Sequence, residues 1–184
     1  RLNNERTADA RHAMTVRMDS QTQHIEVHKF YGGTVIIVCF LALVTEAFLN
    51  KFTPRFQVLE LPLLAVVYFG LSRRNSATGM FLGAIVGILQ DGVSHTPIGL
   101  YGIAKACIGY LASSIGARLD TEHPISRLIL MFLFFHIHQA IFAFISRILL
   151  ARSVPFFSLH LLIASIINAV IAVFLFAGLD RLRK

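Results

Sequence analysis

Few side chains in this sequence can do chemistry, and the most tempting pair is Asp91, near the outer end of one apolar segment, and Lys105, inside the next. Asp91 ends a run in which Gly79, Gly83, Gly87 and Asp91 follow one another at steps of four, the spacing of one helix face. A turn built around Pro97 and Gly99 then sends the chain back, and Lys105 lies about two helical turns into the returning stretch. In antiparallel neighbours the two residues come within reach, because a lysine stem carries its ammonium well away from the backbone. Three chemistries are open to them. They can form an internal ion pair that satisfies charge, build a proton- or substrate-handling site, or snorkel separately to water. On the pairing reading, Lys105→Ala destabilises more than the double change with Asp91→Asn.

The remaining polar candidates are weaker. Glu46 and Glu60 fall near the ends of apolar segments and read as interfacial carboxylates with water access, Lys51 and Arg55 being their available mates. His136 and His138 are two residues apart and cannot share a helix face, so the pair is a poor chelate, and the HExxH zinc pattern is absent. Cys39 and Cys107 sit inside apolar spans and read as small hydrophobes rather than a disulfide or metal pair. Gln139 and Asn168 read as hydrogen-bond formers between helices. No GxSxG elbow, P-loop or dinucleotide fingerprint occurs. The residues give no catalytic constellation, no cofactor site and no metal site, and an enzyme is not expected.

The elements that must position these groups are membrane helices. The 184 residues are 55% hydrophobic and only 15% charged, against about 25% in soluble domains, with a mean hydropathy of +0.67. The net charge of +7 does not point to nucleic acid, because the basic residues flank apolar segments, where topology signals belong. Six spans can be drawn: Phe30 to Leu49, Phe56 to Ser72, Ser76 to Val93, Pro97 to Ala117, Arg127 to Leu150 and Val154 to Leu179. The second is the weakest, since only Leu61 to Ser72 is free of charge and that length alone suits a re-entrant piece. Six crossings put twelve basic residues on one side and four (Lys51, Arg55, Arg147, Arg152) on the other, with Lys105 inside a span. That bias places both termini in the cytoplasm. The expected architecture is an all-α integral membrane protein, with a polar cytoplasmic tail over 1–27 and a compact six-helix bundle over 28–184. The loop from Arg118 to Arg127 carries mixed charge and offers a docking surface.

Two stripes of small residues bear on how the bundle packs. Gly79, Gly83 and Gly87 form one; Gly102, Ala106, Gly109, Ser113 and Gly116 alternate steps of four and three and form the other. Either they pack the third span against the fourth, or one of them receives a partner's transmembrane helix.

In sequence order, Glu60-Leu61-Pro62-Leu63-Leu64, Tyr68 and Leu71 precede the glycine span. Asp91-Gly92, Thr96-Pro97-Ile98-Gly99-Leu100 and Gly109-Tyr110-Leu111 follow it. This order resembles the rod shape-determining protein MreD family of bacteria, over about residues 28–184. Lys105 inside the fourth span departs from the family pattern. The resemblance implies a noncatalytic scaffold subunit of the cell-elongation machinery, multi-pass in the bacterial inner membrane and supporting peptidoglycan synthesis and cell shape. It implies a bundle similar to the S components of energy-coupling transporters. It also implies MreC as partner, through its transmembrane segment, within a wider assembly of MreB, RodA and a class B penicillin-binding transpeptidase. The alternative is a small-molecule-binding component of a transporter, which requires a central polar cavity lined by several spans.

Overall fold

A computed structural model describes residues 32–52, 59–73, 75–118, 123–151 and 158–181. The polar tail expected over 1–27 and the middle of the loop from 118 to 127 lie outside the described residues. Among the described residues there are six helices and no strand: α1 (Gly32–Phe52), α2 (Leu61–Arg73), α3 (Ser76–Val93), α4 (Leu100–Gly116), α5 (Pro124–Leu150) and α6 (Leu159–Asp180). Four of them, α1, α3, α5 and α6, are long and apolar enough to cross a membrane.

The helix starts follow from local chemistry. Asn75 and Ser158 cap α3 and α6 by accepting the backbone N–H of Thr78 and Leu161, both at 3.1 Å. Pro124 opens α5, where its missing N–H costs nothing. Expectation and structure differ most at the second span. Helix α2 begins at Leu61, not four or five residues earlier, and its 13 residues extend only about 20 Å. Glu60 occupies its N-cap position, since the Glu60 carbonyl accepts the first helical bond from Leu64 at 3.1 Å.

Helix α2 is nonetheless the centre of the molecule. Every residue from Pro62 to Leu71 is buried, and the helix touches all five others. A helix apolar on every side belongs in such a place. Around it, α3 and α4 form the tightest pair, α5 packs on α6, and α1 leans mainly on α2 with a lighter contact to α3. At the far end of α2, Tyr68 donates to Asp180 at 2.9 Å and Arg127 pairs with the same carboxylate, which ties α2, α5 and α6 together.

Candidate functional site

The small-residue stripes fix the register of α3 on α4. A Cβ on Gly79 would overlap the Gly109 carbonyl and the Ser113 hydroxyl; one on Gly83 would overlap the Lys105 carbonyl; one on Gly87 would meet the backbone of Tyr101 and Gly102. From the other side, Gly109 abuts Gly79, Gly102 abuts Ile88, and Gly116 abuts the backbone of Leu71 in α2. The two stripes are therefore spent on each other and on α2. The stripe that could have received a partner's helix is occupied from within.

That register carries Asp91 to the start of α4, and there it finds its partners. Gly99, the N-cap residue, has φ +107° at the third position of a turn closed by Leu100 N–H to Pro97 C=O, a type II turn that needs glycine there. Glycine has no side chain to satisfy the first free N–H groups of α4. Asp91 supplies the missing acceptors from the neighbouring helix. Its Oδ2 takes the N–H groups of Gly99 (2.8 Å) and Gly102 (3.2 Å), and its Oδ1 takes Tyr101 N–H (3.0 Å) and the Thr96 hydroxyl (2.8 Å). A carboxylate at a helix N-terminus also faces the positive end of the helix dipole. Asp91 is wholly buried and accepts bonds at both oxygens, so an ion pair with Lys105 is not its function.

Lys105 pairs elsewhere. Its Nζ lies 3.0 Å from Glu60 Oε2, 3.4 Å from His138 Nε2 and 4.7 Å from the centre of the Tyr101 ring. The expected Asp91–Lys105 pair is thus replaced by Glu60–Lys105. Gly83 is the α3 residue that faces Lys105, so Asp91 sits about two turns nearer the hairpin bend, while Glu60 reaches Lys105 from the N-cap of α2. Glu46 and Glu60 are also not water-exposed, at 7% and 6% exposure. Gln90 Nε2 joins them, donating to Glu46 Oε1 at 2.7 Å and reaching Glu60 Oε2 at 3.5 Å. Asn168 closes the network by accepting the Glu60 N–H at 2.9 Å, while its own Nδ2 donates to Ala164 C=O.

Each helix therefore contributes a polar residue to one buried node: Glu46 from α1, Glu60 from the cap of α2, Gln90 from α3, Lys105 from α4, His138 from α5 and Asn168 from α6. An ammonium donating to His138 Nε2 makes that nitrogen an acceptor and assigns the ring proton to Nδ1. The Tyr101 ring stacks on the imidazole at 14°, with centroids 6.0 Å apart. His136 points elsewhere, to the Phe132 carbonyl at 3.0 Å, so the two histidines do not converge. Cys39 and Cys107 are free thiols, one buried and one exposed.

Sequence reasoning selected Glu60, Asp91 and Lys105 but missed Gln90, His138 and Tyr101 as members. Their signal was present: a glutamine and a histidine in membrane-length apolar helices need partners as surely as a charge does. What the node can do chemically is bond helices. It pairs the Glu60 carboxylate with the Lys105 ammonium.

No curated protein and no solved structure matches the chain. The model of one family, rod shape-determining protein MreD, matches residues 28–182, which include all six helices, the node and the Asp91-capped hairpin. The chain belongs to the MreD family and has its role in rod shape determination.

Proposed function

We propose that the chain is a noncatalytic scaffold of the bacterial cell-elongation complex, crossing the inner membrane six times with both termini cytoplasmic. In this reading it binds the transmembrane segment of MreC against the apolar outside of the bundle. It thereby links MreC to MreB, RodA and a class B penicillin-binding transpeptidase, and so supports lateral peptidoglycan synthesis. The observation that carries the reading is the six-helix polar node. Glu60, Lys105 and His138 bond one another in the middle of the bundle, where a transporter's binding component needs a cavity, and the buried side chains of α2 pack beside them. A similarity to S components would then be one of architecture alone.

Helices α2 and α4 are short for a bilayer core of about 30 Å. As crossings they would be completed by the residues flanking them, within a bundle that shields their ends. The test is purification from native bacterial membranes under mild detergent. MreC is expected to co-purify, and reporter fusions at both ends are expected on the cytoplasmic side. Recovery of an energy-coupling ATPase without MreC overturns the scaffold reading in favour of the transporter component.

A further inference from the structure

Beside the node, on the seam between α1 and α3, two cavities adjoin. The outer one is an apolar groove of about 400 Å³ walled by Phe40, Leu43, Val44, Phe48 and Leu89, with Lys51 also on its lining. The inner one, of about 190 Å³, shares Leu43, Ala47 and Val93 with the groove and adds Glu46, Asn50, Gln90 and Ser94. Three buried oxygens on the inner lining have no hydrogen-bond partner among the described residues: Glu46 Oε2, Asn50 Oδ1 and Gln90 Oε1. The Gln90 amide cannot be turned round to relieve this, because its nitrogen already donates to Glu46.

All three orphans are carboxyl or amide oxygens, so the site asks for hydrogen-bond donors. The charge count points the same way. Lys105 pairs with Glu60 at 3.0 Å, while among the described residues Glu46 takes its side-chain hydrogen bond from the neutral amide of Gln90. A primary ammonium carries one positive charge and three N–H donors, which suits a site with the Glu46 carboxyl group and three oxygens free to accept. The groove supplies the rest of the ligand's shape: an apolar wall for a hydrocarbon chain and, at Lys51, a cation for an anionic group.

We propose that the α1–α3 seam binds a zwitterionic phospholipid with a primary ammonium head group. The acyl chain lies along Phe40, Val44, Phe48 and Leu89, the phosphate meets Lys51, and the ammonium enters the inner cavity to donate to Glu46, Asn50 and Gln90. A quaternary head group has no N–H to donate, and an anionic one brings the wrong charge to Glu46.

Native mass spectrometry of the purified full chain tests this, with equimolar phosphatidylethanolamine, phosphatidylcholine and phosphatidylglycerol of identical acyl chains. The ethanolamine lipid is expected to be retained about tenfold over the choline lipid, as loss of charge-assisted hydrogen bonds dictates. Glu46→Gln and Asn50→Ala each bring the ratio toward one, while Val44→Trp lowers retention of all three lipids by filling the groove. Asn50→Ala and Val44→Trp act at the margin of the bundle, so they remain informative if Glu46→Gln fails to fold. Equal retention of the ethanolamine and choline lipids by the unaltered chain overturns the proposal, as does an undiminished preference in Asn50→Ala. Soluble phosphoethanolamine competing as well as the whole lipid overturns the groove's part in it. So does a protein helix that displaces the lipid by seating its own basic side chain at Glu46.

Discussion

Helix α3 meets two of its neighbours, α4 and α1, in opposite ways. Toward α4 it presents Gly79, Gly83 and Gly87, and the backbones come so close that no Cβ fits between them. Toward α1 the facing residues are large (Phe40, Leu43, Val44, Phe48, Leu89), and between them a groove stays open. Without water to squeeze apolar surfaces together, helices in a membrane gain from close packing and hydrogen bonds rather than from burial of oil. Large side chains therefore do not close a seam merely by being hydrophobic. The comparison teaches that along α3 the small residues mark a joint that is already made, and the bulky ones mark a surface still open to lipid or partner.

The sharpest way to break this comparison is to put bulk into the closed joint. Gly83→Leu sets a branched side chain on the Lys105 carbonyl, which is backbone and cannot swing aside. Overpacking of this kind costs about 3 kcal/mol or more, and here it also dislodges the residue that anchors the polar node. The expected result is loss of a monodisperse, folded peak in detergent size-exclusion chromatography. If Gly83→Leu folds and only loses a partner, the α3–α4 joint is open in the cell and the stripe is an interface after all.

The next largest effect concerns what the closed joint holds in place. Lys105→Met leaves Glu60 buried without its cation, which costs about 3–5 kcal/mol. Adding Glu60→Gln should restore most of that loss, because the carboxylate that needed the cation is gone. The double change with Asp91→Asn should instead be worse than Lys105→Met alone, since those two residues have separate partners and their costs add. Thermal unfolding of the variants in one detergent orders them. Rescue by Asp91→Asn rather than by Glu60→Gln would restore the pairing expected from the sequence.

How much of this was legible beforehand depends on the range of the interaction. The bounds of α3, expected at about Ser76 to Val93, agree with the structure, where Asn75 caps the start and the turn residues follow the end. The hairpin turn at Pro97 and Gly99 was equally local. The partner of Lys105 was not, because Glu60 is 45 residues away and enters the bundle only through the N-cap of a helix shorter than expected. Chain order suggested the nearest carboxylate; topology delivered a more distant one. For Glu46, proximity to a span end read as water access, yet the helices around α2 bury it.

Asp91→Asn by itself should have a middling effect. The substitution keeps one acceptor oxygen but turns an amide NH₂ toward two of the four groups that donate to Asp91 now. Loss of two buried hydrogen bonds, with one donor pair left facing another, costs about 1–3 kcal/mol. Hydrogen exchange at Gly99, Tyr101 and Gly102 should rise before the rest of α4 is affected. A uniform rise through α3 and α4 would mean that the carboxylate, rather than the glycine contact, holds the hairpin shut.

The smallest effect belongs to the open seam, and it sharpens the comparison most finely. Val44 is 47% exposed on the groove wall. Val44→Ala removes methyl groups that touch no tightly packed neighbour, so the stability measured in detergent should change by no more than about 0.5 kcal/mol. The same subtraction at a sealed position, Val66→Ala in fully buried α2, should cost several times as much, because the surrounding helices cannot collapse into the space. If the two variants lose equal stability, α1 is held to α3 as firmly as α4 is. The groove would then be no more than a crease in a closed surface, and bulky residues would seal seams in this bundle as well as glycines do.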